Sequence, residues 1–186
     1  MAPTSAEPGT RILILGGIRS GKSVVAEQII AELACGIPVR YLATGAGSDE
    51  EWERRVAAHR LRRTHGWITV ESTDVAGILT DDTVPTLVDD LGGWLTSIYD
   101  QRGWCGSVEP EIDALATAVD DHRGPVVLVS SEVGLTLVPT TASGRLFSDA
   151  LGTVNQRLAA VCDRVLLVVA GIPVEIKGSA AAKGLR

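Results

Sequence analysis

A chain of 186 residues, 45% of them apolar, is long enough for one sizeable core that buries roughly 70% of its unfolded surface. Its net charge of -6 and isoelectric point near 5.1 exclude a nucleic-acid-binding protein held by a general basic field, so any anionic ligand has to be met locally. The longest apolar run, Val165 to Ile172, is too short to span a bilayer, and residues 1–10 lack the basic start and apolar stretch of a signal peptide; the expectation is a cytoplasmic protein with a disordered tail over 1–10.

The first predicted element is a strand, Arg11-Ile12-Leu13-Ile14-Leu15. It runs into Gly16-Gly17-Ile18-Arg19-Ser20-Gly21-Lys22-Ser23, which matches G-x-x-x-x-G-K-[ST], and then into a helical pattern from Val24 to Leu33. Strand, glycine-rich loop and helix in that order read as a phosphate cradle. Gly16 and Gly21 let the backbone bring N–H groups close to phosphate oxygens, and the helix adds its positive dipole end. Lys22 would reach the β- and γ-phosphates as a point charge, and the Ser23 hydroxyl would help to hold Mg²⁺. The loop alone does not reveal the reaction, because many chemistries share it.

Cys35-Gly36 reads as a helix stop and Pro38 to Ala43 as a second strand, ending in the loop Thr44-Gly45-Ala46-Gly47. Because ligands sit at the carboxyl ends of strands in such sheets, Thr44 and Gly45 are candidates to lie near the nucleotide; a plain turn is the other reading. Ser48 or Asp49 can cap a helix from about Glu50 to Arg63. That segment packs Arg54, Arg55, Arg60, Arg62 and Arg63 into ten positions of an otherwise acidic chain, around His59. Helical spacing places Arg55, Val56, Arg62 and Arg63 beside His59. The arginines either face water and complement the helix dipole or bind a second anionic group, with His59 as a nucleophile or proton carrier.

Trp67 to Glu71 reads as a short strand with Glu71 at its carboxyl end, and Val75 to Leu79 as a short helix. Val84 to Asp90 is an apolar strand ending in acids, with Asp89 the better candidate to organise Mg²⁺ and Asp90 the weaker. A helix from Leu91 to Tyr99, a glycine-rich surface loop from Arg102 to Pro110, and a helix striped by Ile112, Leu115, Ala116 and Val119 follow. His122 then reads as a helix-end residue and His65 as part of a turn. Val126 to Ser130 is a buried-looking strand, Ser131 to Gly134 a polar strand-end loop, and Ser143 to Cys162 a helix. Arg164 to Ala170 is a further strand, with Val174-Glu175-Ile176 as an antiparallel edge. Cys35, Cys105 and Cys162 are separated, with no C-x-x-C pair, and read as reduced thiols, Cys162 in the core; no zinc site is expected. The alternation argues for an α/β domain over 11–177, a mostly parallel sheet with helices on both faces, followed by a mobile tail over 178–186.

Taken in order, these pieces resemble the bifunctional adenosylcobinamide kinase and adenosylcobinamide-phosphate guanylyltransferase family of cobalamin nucleotide-loop assembly. The likeness runs from about Arg11 to Lys177, through the phosphate loop and Tyr41 to Thr44, Arg55 to Arg63, Trp67 to Glu71, Glu132 to Gly134, Asn155 to Ala159 and Ala170 to Pro173. It implies a RecA-like P-loop NTPase fold and two steps using ATP or GTP with Mg²⁺. In the first, the aminopropanol hydroxyl of adenosylcobinamide is phosphorylated; in the second, GMP passes from GTP to that phosphate through a GMP-histidine that falls on His59. By the same resemblance Thr44, Gly45, Ala46, Arg60, Leu61, Arg62, Arg63, Glu71 and Asp89 join the loop residues Gly16 to Ser23 in contacting the nucleotide. It also implies a homotrimer in which a neighbour helps to complete the site. Thr140-Thr141, Ser131, Asp90 and Trp52 depart from the residues most frequent in relatives, and none of them touches the loop or His59. The competing readings are a guanylyltransferase alone, a small-molecule kinase alone, and a RecA-like nucleotide-dependent regulator.

Overall fold

The computed structural model describes residues 9–45, 66–80, 82–135 and 137–178. The arginine-rich segment with His59 lies outside them, as do both ends of the chain. Among the described residues the strands are β1 (Arg11–Gly16), β2 (Val39–Ala43), β3 (Trp67–Glu71), β4 (Thr86–Asp89), β5 (Val126–Ser131), β6 (Arg164–Val169) and β7 (Ile172–Lys177). The helices are α1 (Lys22–Ala34), α2 (Val75–Leu79), α3 (Leu91–Gln101), α4 (Glu109–Asp121) and α5 (Ala142–Val161).

The strands form one sheet in the order β3-β2-β4-β5-β1-β6-β7. All pairings are parallel except that of β7, which turns back antiparallel on β6. The continuous apolar run Val126-Val127-Leu128-Val129 is buried on both sides, as a central parallel strand requires. Alternation along β1 sends Ile12 and Ile14 to the face covered by α1, where Val25, Ala26 and Ile30 meet them. Leu13 and Leu15 go to the opposite face, under Leu95, Ile112, Leu151 and Leu158 from α3, α4 and α5. Helices therefore cover both faces, and the sheet brings the carboxyl ends of β1, β5, β4 and β2 side by side.

The predicted elements are present with two differences. α4 begins at Glu109, so Pro110 lies in its first turn rather than in the preceding loop; proline is tolerated there because that N–H would have no intrahelical partner. His122 follows α4, as expected of a helix-end residue, but is buried. Its Nδ1 lies 3.1 Å from the Leu79 carbonyl and its Nε2 3.3 Å from that of Val84, so the ring joins the ends of α2 and α4 to the approach to β4. Cys162 is in the core as predicted, and burial pushes its thiol up to about 12, which leaves it an inert apolar filler.

Candidate active site

β1 delivers the chain to the rim at Gly16, and the loop turns there by two kinds of constraint. Gly16 is a matter of space: a Cβ would sit 2.5 Å from Ser20 Oγ and 2.8 Å from the Val168 carbonyl oxygen. Gly21 is a matter of conformation, since φ is +93° where α1 begins. Ser20 is buried within the loop; its N–H donates to the Gly17 carbonyl at 3.2 Å, and its own carbonyl accepts from Gly171 N–H at 2.7 Å. The α1 N-terminus, with its positive dipole end, opens directly from this turn. Lys22 leans back over the loop and donates from Nζ to the Gly17 carbonyl at 3.3 Å, so its charge stays at the cradle.

One residue further along, Ser23 faces the strand-end acid. Its hydroxyl donates to Asp89 Oδ1 at 3.4 Å, across β5 from the loop, while Tyr41 on β2 donates its phenol to Asp89 Oδ2 at 2.9 Å. Parallel register explains the meeting, because Tyr41 pairs with Leu87 and Ala43 with Asp89. Tyr41, Leu87 and Asp89 therefore share the face that α1 covers. Asp90 does something else: its Oδ1 accepts Gly93 N–H at 2.6 Å and caps α3, which removes it as the weaker metal candidate. The Asp89–Asp90 peptide bond is cis.

Thr44 is buried, and it braces the rim. Its N–H donates to the Asp89 carbonyl at 3.4 Å and its hydroxyl to that of Asp90. Gly45 lies against α3, so close that a Cβ on Gly93 would sit 2.9 Å from its Cα. Glu71 ends β3, in register with Ala43, at the far edge of the sheet.

Hard oxygen donors held by a helix start and a strand end suit Mg²⁺, which takes one or two protein ligands and completes its shell with phosphate and water. Among the described residues no group of three or more His, Cys, Asp or Glu side chains converges, so Ser23 and Asp89 are the pair that could hold it.

Comparison with known proteins gives this geometry a family. Residues 12–176 match the model of the family described as cobinamide kinase / cobinamide phosphate guanyltransferase, CobU. The chain belongs to that family. It is 39% identical to the bifunctional adenosylcobalamin biosynthesis protein CobP of Pseudomonas aeruginosa, over 90% of this chain and 98% of that one. It is 37% identical to the bifunctional adenosylcobalamin biosynthesis protein CobU of Salmonella typhimurium, over 89% of this chain and 99% of that one. Among solved structures, an ATPase from the type III secretion system of pathogenic bacteria is similar at a TM-score of 0.54 and 12% identity, covering 90% of this chain and 57% of that one. The flagellar accessory protein FlaH of Methanocaldococcus jannaschii follows at 0.50 and 11%, with 94% and 81% covered. These two likenesses speak for the RecA-like P-loop fold alone.

Of the residues expected at the site, the structure brings together Gly16, Gly17, Ile18, Arg19, Ser20, Gly21, Lys22, Ser23 and Asp89, with Thr44 and Gly45 bracing the same rim. Ala46, His59, Arg60, Leu61, Arg62 and Arg63 lie outside the described residues. Two contributors had no role assigned from sequence. Tyr41 orients Asp89, and only the strand register could have revealed it. Gly171 serves by its backbone, its N–H holding Ser20 and its Cα standing 3.1 Å from where a Cβ on Gly21 would be.

Proposed function

We propose that this chain phosphorylates the aminopropanol hydroxyl of adenosylcobinamide and then transfers GMP from GTP to the resulting phosphate, giving adenosyl-GDP-cobinamide and pyrophosphate. Family membership across nearly the whole chain supports the pair of activities. The observation that carries the phosphoryl chemistry is the 3.4 Å approach of Ser23 Oγ to Asp89 beside a loop capped by Gly21 and Lys22. In the first step the loop amides and Lys22 hold the β- and γ-phosphates in line with the accepting hydroxyl. Mg²⁺ held by Ser23 and Asp89 would neutralise charge on the phosphates.

In the second step the neutral imidazole of His59 attacks the α-phosphorus of GTP. The bond to the bridging oxygen breaks, pyrophosphate leaves, and the substrate phosphate then displaces the imidazole. Support for His59 comes from the resemblance and from the arginines around it in sequence, with Arg60 to Arg63, Thr44, Gly45, Ala46 and Glu71 as the nucleotide's further contacts. The rest of the reading is a single domain over 11–177, a cytoplasmic setting and a homotrimer. An uncovered apolar sheet face, formed by Val169 with Ile172, Val174 and Ile176, supports the trimer.

Incubation with Mg²⁺ and GTP labelled at the α-phosphate, followed by denaturation, tests the covalent step. Acid-labile, base-stable label on the wild type and none on His59→Ala is the expected result. No label on either, from protein that binds GTP, would overturn the transferase half.

A further inference from the structure

Phosphoryl transfer to a hydroxyl needs a group that positions the hydroxyl and takes its proton. Carboxylates are the ready acceptors at the strand ends. Asp89 is turned toward Ser23 and Tyr41, Asp90 caps α3, and Glu71 is separated from β1 by β2, β4 and β5. Glu132 differs from all three. It directly follows β5, the neighbour of the loop strand, and its N–H donates to the carbonyl of Gly16, the first loop residue, at 3.1 Å.

Its carboxylate is also aimed. Gly134 N–H donates to Oε1 at 2.6 Å, and the side chain borders a cavity of about 400 Å³ between β1 and α5, walled by Leu15, Ser148, Gly152, Asn155 and Gln156. Asn155 fixes the strand end from the other side. Its Oδ1 accepts the Ser130 hydroxyl at 2.6 Å, and its Nδ2 donates to the Ser131 carbonyl at 3.1 Å. The backbone that carries Glu132 is thus tied to the phosphate loop and to α5, the preorganisation a positioned base requires. The motifs Glu132 to Gly134 and Asn155-Gln156, which the nucleotide chemistry leaves unused, meet at this cavity.

We propose that Glu132 is the base of the kinase step and that the hydroxyl-bearing arm of the substrate enters through this cavity. The hydroxyl oxygen bonds to the γ-phosphorus as the bond from that phosphorus to the β–γ bridging oxygen breaks. The nucleoside diphosphate leaves, and the hydroxyl proton passes to Oε2 of Glu132. Amide and hydroxyl groups on an apolar floor suit a neutral, amide-bearing arm such as that of a corrinoid, and this assignment rests on the kinase reading above.

The test uses the full chain with γ-labelled ATP, Mg²⁺ and cobinamide, comparing wild type with Glu132→Gln, Glu132→Asp and Gly134→Ala, with nucleotide binding measured for each. A Cβ on Gly134 would stand 2.9 Å from Glu132 Oε1 and meet nothing else nearby, so that variant displaces the carboxylate and spares the backbone. Glu132→Gln should lower kcat by roughly 10²- to 10⁴-fold with little change in the KM for cobinamide, and should erase the acid-side fall of the rate. Glu132→Asp should recover part of the loss. A Gln variant whose kcat stays within a few-fold of wild type, or that keeps the acid-side fall, overturns the proposal, as does a change confined to KM. If the Gln variant no longer binds nucleotide, Gly134→Ala decides: a lower kcat at unchanged nucleotide affinity supports the proposal, and an unchanged kcat overturns it. A wild type that forms the α-labelled adduct from GTP but never phosphorylates cobinamide removes the kinase reading, and Glu132's role with it.

Discussion

Tyr41 and Asp89 make the site's most testable pair, because one exists to orient the other. The phenol holds Oδ2 at 2.9 Å and leaves Oδ1 to Ser23, so Tyr41→Phe should keep the fold while letting the carboxylate rotate. Orienting partners of this kind are worth about 10- to 100-fold in metal affinity. We expect the Mg²⁺ concentration that half-saturates nucleotide binding to rise by about 10-fold in Tyr41→Phe and further in Asp89→Asn, as read by titrating a fluorescent nucleotide. Unchanged Mg²⁺ dependence in both would remove Asp89 from the metal site. The sequence already favoured Asp89 over Asp90 as the end of an apolar strand. Their separation is physical: Asp89 is the last residue to share the α1 face with Leu87, whereas Asp90 is the first to precede a helix and caps it. The buried role of His122 was not legible, because its partners are backbone carbonyls on elements far away in sequence, and no side-chain pattern announces a carbonyl.

Between elements, a few polar ties hold what the apolar cores only press together. His122→Ala would leave the Leu79 and Val84 carbonyls without that ring and open a small void beneath α4. It should cost about 2–3 kcal/mol in urea unfolding, more than a surface histidine is worth. Two carboxylates make the fold acid-sensitive. For Asp163, burial works against the charge but is outweighed by hydrogen bonds from the Arg11 guanidinium and N–H, and its carboxyl is held below the ordinary range. For Asp82, burial is likewise outweighed by the Val84 N–H, the Arg40 guanidinium and the Thr83 N–H. A lowered carboxyl pKa stabilises the fold fully above its unfolded value of about 3.9, and that contribution fades as pH falls through the lower folded value. The urea midpoint should therefore drop below about pH 4, and the drop should be shallower in Asp163→Asn and Asp82→Asn, which start lower at neutral pH. An equally steep fall in the variants would show that other groups drive the acid transition. Element existence was legible throughout because parallel strands read as unbroken apolar runs and α4 and α5 as stripes. The start of α4 was missed since Pro110 marks both loops and first helical turns.

At the scale of the molecule the sheet is covered unevenly, and that unevenness carries the last prediction. β7 pairs so that Val169 lies opposite Ile172 and Leu167 opposite Val174, and alternation adds Ile176 to the same face. Val169, Ile172, Val174 and Ile176 are 57%, 65%, 50% and 52% exposed, beside a β7 edge blunted only by Pro173. The sequence made β7 legible as an edge strand but not as an uncovered one, because burial of a sheet face depends on which helices reach it, and α5 stops short of these residues. A contiguous apolar face of this kind is what a second copy of the chain would bury, and a stable interface needs about 1,000 Å² or more in total. The chain should therefore sediment as a trimer, and Ile172→Glu with Val174→Glu should yield monomers whose thermal midpoint no longer rises with protein concentration. Because the pair lies on the outer face of an edge strand, far from Ser23 and Asp89 in the sheet order, nucleotide should still bind the monomer. A site completed by a neighbour would then reveal itself as lost transfer with retained binding. A wild type that sediments as a monomer at micromolar concentration, or a double variant that still assembles, would instead free this face from any role in assembly.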